Sequence, residues 1–206
     1  MNRVINKNEL KSEEIHALII YRYLRLFNTL ENRVKEVFKQ YIENVEKKNC
    51  AEIYAKIWFY VGGLKGNTTY IDFENNHLQQ ANVKYDHKTI FSSFTFNNII
   101  KLSKNEKIIK IFEFQVKSFN NKRLEYEFYD CCKILIQMRN VLSHEIEKDN
   151  FKDNAIIEKL SIEKLRERNI EWLKNIDISN MSESSKSILS NYLIMEQIIK
   201  KLNNFL

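Results

Sequence analysis

Proline is absent from the 206 residues of this chain, and its three glycines all fall between positions 62 and 66. Tight turns between strands draw on both residues, glycine for positive φ and proline for a preset negative φ. A chain that has neither outside one short window predicts long helices joined by polar loops, so the expected fold class is all-α. Hydrophobic residues make up 44%, enough for a buried core. The length fits one domain with a helical appendage. The expected organisation is a helical domain over 1–150 and a C-terminal helical extension, 151–206, packed on the same domain.

Apolar residues at steps of three and four carry this reading along the chain. Ile15, Ile19, Tyr23, Phe27, Leu30, Val34, Val37, Tyr41 and Val45 form one such stripe. Ser12 as N-cap and the acids Glu13 and Glu14 open it, and Asn28-Thr29 marks a candidate break. A second apolar helix is predicted over 51–61, stopped by Gly62-Gly63. The Asn-, Gln- and Thr-rich stretch 64–87 reads as a long loop with short structure in it. Helical periodicity returns over 94–102, 107–117, 122–147, 161–174 and 183–204. The Gly62-Gly63-Leu64-Lys65-Gly66 run lacks the Gly-Lys-Ser/Thr ending of a phosphate loop and reads as a turn.

Several functional classes drop out. The three cysteines are Cys50 and the adjacent pair Cys131-Cys132; an odd count without a CxxC spacing gives neither a disulfide framework nor a zinc site. His16, His77 and His87 stand apart without metal-ligand spacing, so neither a metal nor a cofactor is expected. The apolar runs 17–21 and 57–61 are too short to span a bilayer and residues 1–11 are polar, so the expectation is a cytoplasmic protein without membrane association. The net charge of +6 suits a polyanion such as RNA and equally a lysine-rich soluble surface. Arg22 and Arg25 beside Tyr21 and Tyr23 could stack on bases, although aromatic residues on such a helix are more often core.

One segment carries chemistry. In the predicted helix 122–147 the core stripe is Leu124, Phe128, Cys131, Leu135, Met138, Leu142 and Ile146. At 100° per residue, with Arg139 at zero, Ser143 falls at about 40°, Asn140 at about 100° and His144 at about 140°. Lys133 lies at about 120°, and Tyr129 and Glu147 at about 80°, on the same side. An arc of Arg, Asn, Ser, His and Lys suits a phosphodiester. The guanidinium is a planar fork matched to phosphate oxygens, imidazole exchanges protons near neutral pH, and an amide can donate to phosphate or orient the ring. A solvated polar helix face accounts for the same residues without any chemistry.

At Arg139-Asn140-Val141-Leu142-Ser143-His144 the chain resembles the HEPN superfamily. Its motif is Arg, four to six residues, then His, commonly with Asn, Asp or His after the Arg. The resemblance is specific at the motif, loose over 12–147 and absent over the last sixty or so residues. It implies an all-α HEPN-like bundle with additional C-terminal helices and a metal-independent endoribonuclease of the toxin–antitoxin or abortive-infection kind. It also implies RNA as partner, a homodimer that brings two motifs together, and an antitoxin or other regulatory protein. On that reading Arg139, Asn140 and His144 are catalytic, and Lys133, Ser143 and Tyr129 contact RNA. Members silenced by a nucleotidyltransferase carry a Tyr two residues after the His; Ile146 stands there in this chain, which argues against that regulation. A non-catalytic HEPN-like module that binds RNA or nucleotide, and a helical interaction subunit, remain the alternatives.

Overall fold

The computed structural model describes residues 11–44, 69–72, 77–80, 83–84, 95–105, 112–144, 156–168, 170–174, 176–179 and 181–206. The described residues are mostly helical, with five α-helices and five short strands. In chain order these are α1 (Ser12–Asn44), β1 (Thr69–Asp72), β2 (His77–Gln80), β3 (Val83–Lys84), α2 (Phe96–Asn105), β4 (Gln115–Lys117), β5 (Glu125–Glu127), α3 (Phe128–His144), α4 (Ile162–Glu167) and α5 (Glu183–Leu202). Single 3₁₀ turns occupy Glu171–Leu173 and Asn203–Phe205. The predicted helix 51–61, the 62–66 turn, Cys50 and His87 lie outside the described residues.

The chain forms two compact units, and the boundary falls inside α1. One joins the N-terminal segment through Leu30 to Gln115–Lys201; the other holds Glu31–Phe114 and Leu202–Leu206. The second unit contains the antiparallel sheet β1-β2-β3, in register from Thr69↔Gln80 to Asp72↔His77. It also buries Val34, Val37 and Phe38 of α1 and Phe96, Ile99 and Ile100 of α2. Within it Phe114 stacks on Phe205, ring centroids 6.0 Å apart.

The first unit carries the arginine–histidine motif, and α5 is its core. From Ser184 to Met195 every side chain of α5 except Lys186 is buried. A helix enclosed on nearly all sides needs small residues where neighbours approach and internal partners for their hydroxyls. Ser187 and Ser190 meet both needs, donating to the carbonyls of Glu183 and Lys186 at 2.9 and 2.7 Å. At the amino end Ser182 caps the helix by accepting from the Ser185 amide at 3.2 Å, and Ser185 Oγ meets Nδ1 of His16 on α1 at 2.7 Å. His16 therefore serves this junction. On the first-unit part of α1, Ile15, Ile19, Ile20, Tyr23, Phe27 and Leu30 are buried.

Three local expectations change. The α1 cap is Lys11 and not Ser12: the Ile15 amide bonds to the Lys11 carbonyl, and Glu14 reaches back to the Lys11 amide at 2.8 Å, half of a capping box. The helix runs unbroken past Asn28-Thr29, where Thr29 Oγ1 donates to the Arg25 carbonyl at 3.2 Å. The predicted helical stretches 107–117 and 122–127 instead contain the antiparallel hairpin β4–β5, with Val116 opposite Tyr126. Its closing loop is fixed from outside by the buried Glu158 carboxylate. That group accepts from Ser118 Oγ at 2.8 Å and from the amides of Phe119 and Asn120 at 2.9 and 3.3 Å. Tyr126 Oη donates to it as well, at 3.4 Å, and a carboxylate taking four donors outweighs the helix propensity of Lys122, Arg123, Leu124 and Glu125. Leu124, expected in the core stripe, is 44% exposed.

If α5 is core and not appendage, Ile194→Ala should lower the unfolding free energy by about 2–5 kcal/mol, as Leu135→Ala in α3 should. Urea titration of both variants checks this. A loss below about 1 kcal/mol at Ile194 alone would show that α5 contributes little to the unit.

Candidate active site

Helix α3 begins directly after β5, so the hairpin sets its first turn. Phe128, Cys131, Cys132, Leu135, Met138 and Leu142 are buried along it. Two contacts fix the turn that carries Arg139. Tyr23 Oη, fully buried on α1, donates to the Leu135 carbonyl at 3.0 Å. That carbonyl is also the acceptor, four residues back, for the Arg139 amide. One turn on, the Arg139 guanidinium lies over the Phe27 ring, 5.9 Å from its centroid. Tyr23 and Phe27 lie one turn apart on α1, as Leu135 and Arg139 do on α3, so the two contacts engage successive turns of each helix.

Arg139 is half-buried through this packing, while Asn140, Ser143 and Lys133 are exposed. Arg139 Nη1 donates to Asn140 Oδ1 at 3.2 Å. The amide oxygen is thus turned toward the guanidinium, which leaves the Asn140 Nδ2 donors directed elsewhere. Ser143 Oγ donates to the Arg139 carbonyl at 2.8 Å. No carboxylate pairs with Arg139 among the described residues. His144 closes α3 as its last residue; its backbone is described and its side chain is not. Tyr129, expected to contact RNA, is buried at 9% exposure with its ring edge-on to Phe128 at 5.6 Å. In this arrangement it packs the core and offers no open face to a base.

Support also comes from α5. Asn191 is fully buried; its Nδ2 lies 3.3 Å from Met138 Sδ, next to Arg139. Its Oδ1 accepts from the Ile157 amide at 3.0 Å, and Ser190 Oγ accepts from the Leu160 amide at 3.0 Å. These bonds tie the backbone at Ile157 and Leu160 to α5. Sequence reasoning did not connect Tyr23, Phe27 or Asn191 to the motif. The first two were visible only as members of an apolar stripe. The signal for Asn191 is a lone amide opening the apolar run Tyr192-Leu193-Ile194-Met195.

The thiols beneath this turn are inert by position. Burial pushes Cys131 up to about 12, with Asp130 and Glu158 adding repulsion, and burial raises Cys132 well above its ordinary value. Among the described residues no group of three or more His, Cys, Asp or Glu side chains is placed to hold a metal ion.

Comparison with protein-family models, curated proteins and solved structures gives no match.

In a Cys50→Ser variant, Cys131 and Cys132 should resist Ellman's reagent at pH 8 until the protein is unfolded. The folded state disfavours both thiolates, so their contribution to stability is complete below a pH of about 8.5, the unfolded thiol value, and falls as pH rises toward the folded values. Rapid labelling of the native protein, or stability rising between pH 9 and 11, would contradict the placement of these side chains.

Proposed function

We propose that the protein is a metal-independent endoribonuclease of HEPN type, a toxin or abortive-infection effector, acting through Arg139, Asn140 and His144. The observation that carries this reading is an arginine held over an aromatic ring, without a carboxylate partner among the described residues, hydrogen-bonded to the adjacent Asn140 one turn before a histidine. A guanidinium held over a ring, with no carboxylate partner among the described residues, is placed for an anion, and its fork suits the non-bridging oxygens of a phosphodiester.

The reaction is intramolecular transfer. The RNA 2′-oxygen attacks the adjacent phosphorus as His144 takes its proton, the bond from phosphorus to the 5′-oxygen breaks, and the leaving oxygen receives a proton. Arg139 stabilises charge on the phosphoryl oxygens, and Asn140 Nδ2 donates to the same group. One strand then ends in a 2′,3′-cyclic phosphate and the other in a 5′-hydroxyl. The two protons move on opposite sides of the phosphorus, and one imidazole does not reach both. A twofold homodimer, the commonest assembly, would supply two histidines and two arginines to one phosphate.

Total RNA should be degraded by the wild type, in EDTA as in buffer, while DNA survives for want of a 2′-hydroxyl. His144→Ala and Arg139→Ala should each reduce cleavage by at least about 100-fold with the circular dichroism spectrum unchanged. Arg139→Lys should also fail to restore it, because the fork is lost. Undiminished cleavage by His144→Ala would end the proposal; RNA binding without any cleavage would leave a binding module.

The composite site makes a separate prediction. Inactive His144→Ala protein, mixed in excess with wild type and allowed to exchange, should lower activity by forming dimers with one histidine. Light scattering that shows a monomer cleaving RNA at full rate, indifferent to the added variant, would rule the shared site out.

A further inference from the structure

The β4–β5 loop, at the end of α3 away from the motif, gathers positive charge on a fixed scaffold. Lys122 and Arg123 sit exposed at its tip, with Leu124 44% exposed beside them. On α4 and just past it, Lys164 and Arg168 occupy one side, four residues apart. Lys164 Nζ donates to Asn120 Oδ1 at 2.9 Å, and the Arg168 guanidinium lies over Phe119, 4.5 Å from the ring centroid. Four cations thus surround residues 118–124. Acids stand nearby as well. Glu158 is buried and takes the loop's own donors, whereas Glu125, beside Leu124, and Glu163 and Glu167 on α4 are exposed. Neither Lys122 nor Arg123 has an ion pair among the described residues.

The loop is preorganised, which lowers the ordering cost of binding. Besides the amides taken by Glu158, that of Asn121 bonds to Ser118 Oγ at 3.1 Å, that of Arg123 to Asn121 Oδ1 at 3.0 Å and that of Leu124 to the Asn121 carbonyl at 2.9 Å. Apart from the Lys122 amide its backbone donors are spent inward, so what it presents outward is mostly side-chain charge and a little apolar surface. Such a surface recognises a polyanion by backbone charge and not by sequence.

We propose that this loop and the adjoining face of α4 form a second contact for the RNA backbone, remote from the cleavage turn. The proposal rests on the ribonuclease reading for its choice of RNA as the polyanion. From Phe128 to Arg139 the helix alone rises about 16 Å at 1.5 Å per residue. A strand long enough to reach both places should therefore feel the loop, and a dinucleotide should not.

The test uses a fluorescein-labelled 30-nucleotide RNA and the full-length chain, with His144→Ala as background so that the probe survives. Lys122→Glu/Arg123→Glu should raise Kd by at least about tenfold at low salt, and the slope of log K against log salt should fall by about 1.4, two single-strand phosphate contacts. The control Lys101→Glu/Lys200→Glu, at two exposed lysines, changes the net charge equally and should shift Kd less than about threefold. In a background with His144 intact, the loop variant should raise KM for the 30-mer and leave cleavage of a dinucleotide unchanged. Equal losses in loop and control variants, or loop-dependent binding of phosphatidylserine vesicles with RNA affinity unchanged, would overturn the proposal. RNA bound through the loop but never cut keeps this surface and ends the nuclease reading. RNA cut with unaltered affinity in the loop variant keeps the nuclease and ends this surface.

Discussion

A single buried hydrogen bond, from the Tyr23 hydroxyl to the Leu135 carbonyl, ties α1 to α3 one turn before the motif arginine. Burial pushes the phenol well above its ordinary range, so it stays a donor at any pH the protein meets. Its partner carbonyl lies in the turn that starts the Arg139 segment, and Phe27, one turn further along α1, receives the guanidinium. Loss of the hydroxyl would leave a buried carbonyl with one bond fewer, at a cost of about 1 kcal/mol. The larger consequence would be freedom for the arginine to leave its ring.

The same unit answers a second constraint, that a helix enclosed by others must carry its own polar partners. Ser187 and Ser190 of α5 bond back along the helix, and Asn191 divides its amide between Met138 and Ile157. Because α5 is built this way, both it and α1 touch the turn before Arg139, α5 at Met138 and α1 at Leu135. At the far end Glu158 performs the corresponding task for the hairpin. Substituting it would strand several donors together, a larger loss than any single surface pair could cause.

How much of this was legible in the sequence depends on where the deciding interactions lie. Long periodic segments declared themselves: α1 and α5 fall where the apolar spacing placed them to within a few residues, and α3 occupies the later part of its predicted stretch, from Phe128 on. The exchange of helix for hairpin over 115–127 was not legible. Lys122-Arg123-Leu124-Glu125 are acceptable helix residues, and what overrides them is a carboxylate more than thirty residues away in sequence. The polar arc of Arg139, Asn140 and Ser143 could be drawn from helical angles alone, because those three share consecutive turns of one helix. Tyr129, on the same arc, could not be separated from the core by angle, since its burial depends on neighbours that the α3 sequence does not contain. Tyr23, Phe27 and Asn191 were invisible as supports for the same reason: pairing between elements is a tertiary fact.

The chemistry proposed for the Arg139 turn leaves a mark on its products, and their ends give the most direct measurement. RNA cut by the wild-type protein should accept phosphate from polynucleotide kinase without prior dephosphorylation, since attack by the 2′-hydroxyl releases a 5′-hydroxyl. The other fragments should migrate as cyclic phosphates until opened by acid. Neither product should form with Arg139→Ala protein. Fragments bearing 5′-phosphates, which need a phosphatase before the kinase can label them, would contradict the account at its centre.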